Sequence, residues 1–258
     1  MQTVVIIPAR YESSRLPGKP LMPLAGRPMI EHVYQRVRQA SNIDAVYVAT
    51  DDTRIQATVE GFGGQVVMTP AQAQSGTDRV AAAAQALELP EDTLLVNVQG
   101  DQPLIHHQAI EAVVRPFQKQ TPPDFDMTTL AFKIVDEAEI TSPKDVKVVC
   151  DNQGHALYFS RATIPHGRDY WDHDSFKHLG VYAYSKAFVD RFHRLPMSRL
   201  EAIEKLEQLR ALEYGYRIQV VESPWDSPEV DVPGDLERIA PQLKAAHLKA
   251  HQFPHEPH

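Results

Sequence analysis

The strongest constraint on this chain is the alternation, in its first half, of short apolar runs with stretches of helical length. Apolar runs at 4–8, 45–50, 65–69 and 94–98 are separated by segments at 28–40, 52–62 and 79–87. The first of these segments carries Ile30, Val33 and Val37 at helical spacing, and the last is rich in alanine. Apolar strands joined by helices predict a parallel sheet covered on both faces. Ligands of such sheets bind beyond the carboxyl ends of the strands. The residues that follow Ile7, Ala49 and Val98 are therefore where a site is expected.

The second half has another rhythm. Strands are predicted at 126–134, 146–150, 155–159 and 177–184. Asp151, Asn152, Gln153 and Gly154 supply a turn that makes 146–159 a hairpin. A helix is predicted over 199–214, with Leu200, Ile203, Leu206, Leu209 and Leu212 on one stripe and Gly215 as its stop. A final strand at 217–222 and a closing helix from Gly234 complete the pattern. The organisation predicted is a single domain over 1–250 with a β-rich insertion at about 126–184. The proline-containing run at 121–124 is a seam within it rather than a boundary, and 251–258 is expected to be a disordered tail.

Composition narrows the function. With a net charge of −8 over 258 residues, no basic patch offsets a polymeric phosphate field, so a nucleic-acid polymer is not an expected partner. A single nucleotide needs only a few local cations. No stretch has the length required to span a membrane, and residues 1–7 read as a strand rather than a leader. Cys150 is the only cysteine, which forbids an intrachain disulfide and fits a reducing, cytoplasmic setting. Its place in a strand suggests a core residue rather than a nucleophile.

The loop after the first strand, IPARYESSRLPGKP at 7–20, holds most of the chemistry. It brings Arg10, Arg15 and Lys19, the hydroxyls of Ser13 and Ser14, and Gly18 to a strand's carboxyl end. A triphosphate requires positive charge, donors and close chain approach. An ordinary solvated loop is the alternative, and no Walker string is present. Asp101 follows the run at 94–98 through Gln99 and Gly100. It could hold a divalent cation against phosphate oxygens, or cap a helix after Pro103. Asp231, between the last strand and the last helix, has the same two readings, with Asp235 also available as a cap.

These residues, with SGTDR at 75–79 and VNVQGDQP at 96–103, resemble the 3-deoxy-manno-octulosonate cytidylyltransferases (CMP-Kdo synthetases). ALYFSRATIP at 156–165, HLGVY at 178–182 and LEQLR at 206–210 extend the similarity over 4–238. The resemblance implies an α/β fold, a Rossmann-like nucleotidyltransferase core with a smaller β-rich dimerisation portion, and a homodimer. It implies that CMP passes from CTP to the anomeric hydroxyl of an acid sugar, releasing pyrophosphate, for lipopolysaccharide synthesis.

The resemblance also implies residue roles. Asp101 and Asp231 would be ligands of Mg2+. Arg10, Ser13, Arg15, Lys19, Ser75 and Arg79 would bind the nucleotide, with Arg10 and Lys19 also counted with the two aspartates as catalytic. Gln99, Arg161, His178, Tyr182, Glu207 and Gln208 would line the sugar pocket. Arg161 suits a sugar carboxylate. Gln99, His178, Tyr182 and Gln208 suit hydroxyls, although Tyr182 and His178 could equally be satisfied core residues. Glu207, four residues after Ile203, falls at the edge of the apolar stripe, an unusual place for a merely structural acid. The family's usual Val-Asp-Thr-Pro-Glu-Asp is altered here, with Val232 and Gly234 in place of the threonine and glutamate.

Gln102 and the runs 177–184 and 226–231 are similar to a branch that activates the 8-amino-3,8-dideoxy sugar, for whose ammonium Asp226 or Glu229 are candidate partners. A CMP-sialate-type synthetase, a nucleotide-sugar glycosyltransferase and a non-enzymatic nucleotide-binding module are the competing readings. His106 and His107 are not expected to share a metal, because neighbours on a helix face different ways. Trp171 and Trp225 could cover a pocket.

Overall fold

A computed structural model describes residues 1–12, 16–73, 75–120, 122–169 and 173–252. In chain order the elements are β1 (Thr3–Pro8), β2 (Pro23–Leu24), β3 (Arg27–Pro28), α1 (Met29–Val37), β4 (Ala45–Thr50), α2 (Thr53–Gly61), β5 (Val66–Met68), α3 (Gly76–Ala86), β6 (Leu94–Asn97) and α4 (His107–Lys119). There follow β7 (Met127–Lys133), α5 (Glu137–Thr141), β8 (Lys147–Cys150), β9 (Ala156–Ser160), β10 (Phe176–Ser185), α6 (Lys186–Phe192), α7 (Arg199–Glu204), α8 (Gln208–Glu213), β11 (Ile218–Ser223) and α9 (Pro233–Gln252).

The main sheet has the order β11-β7-β10-β6-β1-β4-β5. The strands β6, β1, β4 and β5 run parallel, as the alternation predicts. Period-two geometry sends alternate side chains to opposite faces. Val5 and Ile7 of β1 enter a core with α1 and α4, and Val4 and Ile6 enter another with α3 and α8. This is why β1 reads as continuously apolar.

Strand β10 is antiparallel to both β6 and β7, while β11 is parallel to β7. Tyr182 lies opposite Asn97, the last residue of β6. The first half of β10 therefore projects past the carboxyl edge of β6 and pairs with β7 and β8 instead. A bulge separates His178 from Tyr182, centred on Gly180 at φ +65°, where a Cβ would be strained. The β8–β9 hairpin forms as expected, with Asp151 and Gly154 closing its turn.

Two expectations are corrected. The helix over 199–214 is two helices, α7 and α8, broken at Lys205, whose φ is +55°. Ile203 is 65% exposed, so the five-residue stripe does not exist as one face. A buried ion pair between Glu201 and Arg210 ties the two short helices together, with the guanidinium over the Phe192 ring at 4.9 Å. Cys150 is exposed rather than a core residue, and burial of its sulfur with nearby Asp151 and Glu222 pushes the thiol up to about 11.

Candidate active site

A cleft of about 910 Å³ opens along the carboxyl ends of β1 and β6 and the overhang of β10. The turn after β6 reaches it by close backbone approach. A Cβ on Gly100 would lie 3.1 Å from the Pro8 carbonyl, so a side chain there would push Asp101 away from β1.

At one end stands a cation between two carboxylates. Lys19 Nζ donates to Asp101 Oδ2 at 2.6 Å, to the Val230 carbonyl at 2.9 Å and to Asp231 Oδ1 at 3.3 Å. Burial opposes its charge, but Asp101 and Asp231 outweigh that and hold Lys19 above the usual lysine value. The Asp101 carbonyl accepts from Val230 N at 3.0 Å, which joins the two acidic loops. Asp101 is not the cap of the helix that follows it. α4 is capped by His106, and Asp235 accepts the N–H groups of Asp231 and Val232 at 2.8 and 3.1 Å. Lys144 binds Asp235 from across the cleft at 3.0 Å, and these contacts outweigh burial to hold Asp235 down at about 2.

The aspartate pair suits a magnesium ion. Asp101 Oδ1 is buried without a hydrogen-bond partner, and both donors are hard oxygens. Among the described residues no group of three or more potential ligand side chains forms. Magnesium fits such a pair, because it takes one or two carboxylates and completes its shell with phosphate oxygens and water.

The nucleotide-side residues fall into three sets. Arg10 is exposed on the cleft wall directly after β1. Ser75 is the N-cap of α3, in a capping box with Asp78, and its hydroxyl donates to Glu207 Oε1 at 3.4 Å. The first turn of α3 lines the cleft, which directs backbone donors and the positive end of the helix dipole into it. Arg79 borders the same cleft but is buried, and its guanidinium is engaged by Thr69 Oγ1 at 2.7 Å and Asp51 at 3.3 Å. Ser13 and Arg15 lie outside the described residues, as do Ser14 and Trp171.

The predicted sugar residues converge from four elements. Tyr182 donates to Gln208 Oε1 at 3.1 Å, and Gln208 Nε2 faces His178 Nδ1 at 3.5 Å. His178 Nε2 lies 2.9 Å from Thr129 Oγ1, whose own proton goes to the Val181 carbonyl at 2.7 Å. Thr129 must then accept from His178, which places the ring proton on Nε2 and leaves Nδ1 as acceptor. Burial pushes His178 down to about 3, so the ring is neutral. Burial, and then Glu207, push Tyr182 well above its usual value. Gln99 Nε2 donates to Asn97 Oδ1 at 3.2 Å and to the Gly180 carbonyl at 3.4 Å, and Gln102 donates to the Leu179 carbonyl, so two glutamines fix the bulge.

Glu207 and Gln208 reach the cleft because of the break at Lys205. An unbroken helix would have placed Glu207 by the periodicity of Ile203, which points to solvent. Burial pushes Glu207 above the usual carboxylate range. Arg161, at the end of β9, donates to the Glu204 carbonyl at 2.8 Å and to the Pro143 carbonyl at 2.9 Å. That uses two of its five donors.

Other residues of the cleft had weak sequence signals. Burial, and then Asp101 and Asp231, push Glu229 up to about 8. Asp226 is engaged by Lys177, which also binds Glu139. Trp225 does not line the cleft and stacks on His106 at 4.3 Å. The His106 and His107 rings stack at 4.5 Å, since His106 stands outside the helix as its cap rather than on a helical face.

Comparison with known proteins places the chain in a family. The family model described as "Cytidylyltransferase" matches residues 4–218. A 3-deoxy-manno-octulosonate cytidylyltransferase 2 of Hydrogenovibrio crunogenus is 68% identical over 248 residues, which is 96% of this chain and 100% of that protein. An 8-amino-3,8-dideoxy-manno-octulosonate cytidylyltransferase of Shewanella amazonensis is 56% identical over 244 residues, 95% and 99% of the two chains. The solved structure of a CMP:2-keto-3-deoxy-manno-octonic acid synthetase complexed with CTP superposes with a TM-score of 0.89 at 39% identity, covering 95% of this chain and 100% of that one.

Proposed function

This chain belongs to the cytidylyltransferase family and is an enzyme of that kind, and on that premise we propose that it transfers CMP from CTP to a 3-deoxy-manno-octulosonate sugar. The acceptor is Kdo or its 8-amino-3,8-dideoxy analogue, and the product feeds lipopolysaccharide synthesis. One observation carries this reading. A cation–carboxylate end built from Lys19, Asp101 and Asp231 shares one cleft with a wall of Arg161, His178, Tyr182 and Gln208.

In the reaction the anomeric hydroxyl of the sugar attacks the α-phosphorus, and pyrophosphate leaves. Arg10 and Lys19, with Ser75 and the first turn of α3, receive the triphosphate. Bound Mg2+ would neutralise phosphate charge and lower the pKa of the attacking hydroxyl, with Asp101 and Asp231 as its protein ligands. Lys19 already lies between these carboxylates, so it can turn one donor to phosphate without leaving its site. Arg161 pairs with the sugar carboxylate. The chain Tyr182–Gln208–His178–Thr129 offers hydroxyl partners in fixed donor and acceptor senses, so the sugar is aligned without reorganisation.

Glu229 at the cleft, a buried carboxyl that a neighbouring ammonium would ionise, is the feature that favours the amino sugar, since Asp226 is already paired with Lys177. Pyrophosphate release from CTP and magnesium, with Kdo and the amino analogue compared at matched concentrations, decides the acceptor. A glycosyltransferase would release none. Sialic acid in parallel tests the sialate alternative.

The working form would be a cytoplasmic homodimer using the β-rich portion at 126–184. Support comes from Leu157 on β9, 62% exposed on a strand whose only strand partner among the described residues is β8. Sedimentation velocity tests this, and a monomer at micromolar concentration would reject it.

A further inference from the structure

Lys147 opens β8 with no exposed surface. Its Nζ donates to three backbone carbonyls, those of Ser142 at 2.6 Å, Asp145 at 2.5 Å and Arg161 at 3.0 Å. An ammonium has three donors, so this cage saturates it. Burial accordingly holds Lys147 below the usual lysine value. Three carbonyl dipoles converging on one buried point would repel one another, and each would lack a partner, without a cation there.

The cage joins two segments that matter to the cleft. Ser142 and Asp145 bracket the loop whose Pro143 carbonyl accepts from Arg161 Nη1. Lys147 is paired with Ser160 in the β8–β9 ladder, beside Arg161. Lys147 thus grips the Arg161 backbone and the loop that holds the Arg161 side chain.

We propose that Lys147 is a positioning residue for acid-sugar binding, fixing the 142–145 loop and the end of β9 so that the Arg161 guanidinium presents its remaining donors to the sugar carboxylate. This rests on the reading of Arg161 as the carboxylate partner. Lys147 itself does not line the cleft.

The test is a double-mutant cycle of Lys147→Met and Arg161→Met, read as KM for the acid sugar, KM for CTP and kcat, using the better of Kdo and its 8-amino analogue. Lys147→Met is expected to raise the acid-sugar KM about tenfold, as for a lost charged hydrogen bond. KM for CTP and kcat should stay within about twofold. In the Arg161→Met background the same change should have almost no further effect. Lys147→Arg keeps the charge but spreads its donors over a planar fork. It should also raise the acid-sugar KM, and it serves if the methionine variant does not fold. An acid-sugar KM equal to wild type in whichever variant folds, while Arg161→Met raises it, overturns the positioning role alone. So does an undiminished effect in the Arg161→Met background. No turnover of either sugar by the wild type removes the functional premise, and this inference with it.

Discussion

The two ends of the cleft are built differently. The proposed phosphate and metal end hangs on the parallel strands β1 and β6, which Arg10, Lys19 and Asp101 follow in the chain, with Asp231 brought to them by the loop after β11. The sugar end is assembled from β7, β9, β10 and α8, and it depends on a bulge and a broken helix. The first kind of site needs strands that end in the right place and one long-range loop, that of Val230 and Asp231, docked on them. The second needs several non-local contacts to hold at once, so its residues should be sensitive to packing changes that leave the phosphate end intact.

The largest effect should come from the phosphate end. Asp101→Asn should lower pyrophosphate release by at least about a thousandfold, with the thermal midpoint little changed, because Asp231 and the Val230 carbonyl still receive Lys19. Activity near wild type would remove the metal role. At the sugar end, Glu201→Ala leaves Arg210 buried and unpaired. A loss of about 3 kcal/mol in denaturant unfolding is expected, with the α7–α8 break loosened and the acid-sugar KM raised more than that for CTP. An equal rise in both would erase the contrast between the ends.

Gly180→Ala probes the bulge alone. The new Cβ would lie 3.5 Å from Glu229 Oε1, an ordinary contact, so the penalty is conformational, about 1 kcal/mol at φ +65°. The acid-sugar KM should rise several-fold and the CTP KM should not move. The pH response sharpens the same comparison. The folded-state pKa of His178 is about 3, below the unfolded value near 6.5. As pH falls below about 6.5 the unfolded chain takes up a proton that the folded chain refuses, so stability is lost progressively towards pH 3. His178→Gln should flatten that acid limb in thermal melts. Between pH 7 and 8 the ring stays neutral, so the acid-sugar KM should show no histidine titration there. The smallest effect belongs to Cys150→Ser. The residue is exposed and outside the cleft, so turnover and midpoint should be unchanged, and a loss of activity would give Cys150 a role that its position does not.

These contrasts match what was readable. Arg10, Lys19 and Asp101 stand out because each follows an apolar run, and a strand's end can be located from such a run alone. Glu207 and Gln208 could be named only through the family resemblance. The periodicity argument for Glu207 assumed a continuous helix, whereas the chain turns left-handed at Lys205. Nothing local predicts that turn, because lysine and its neighbours are good helix formers. The break is stabilised by the Glu201–Arg210 pair and by Glu204 receiving Ser160 Oγ and Arg161 N from β9. Cys150 is exposed for a related reason, since it ends β8 beyond the pairing with β10, which reaches only Lys147 and Val148.

The sequence by itself determined the parallel half of the sheet, the strand ends that carry the cations and the first aspartate, and the family. Those follow from hydrophobic periodicity and from short motifs, which act over a few residues. The tertiary structure alone decided that Asp235 rather than Asp231 receives the backbone before α9. It also decided that His178 is a neutral relay between Gln208 and Thr129, and that a buried lysine organises the loop around Arg161. Each of these is a matter of which donor meets which acceptor across dozens of residues. Burial makes an unmet donor or acceptor costly, so that pairing is fixed only when the whole chain has folded.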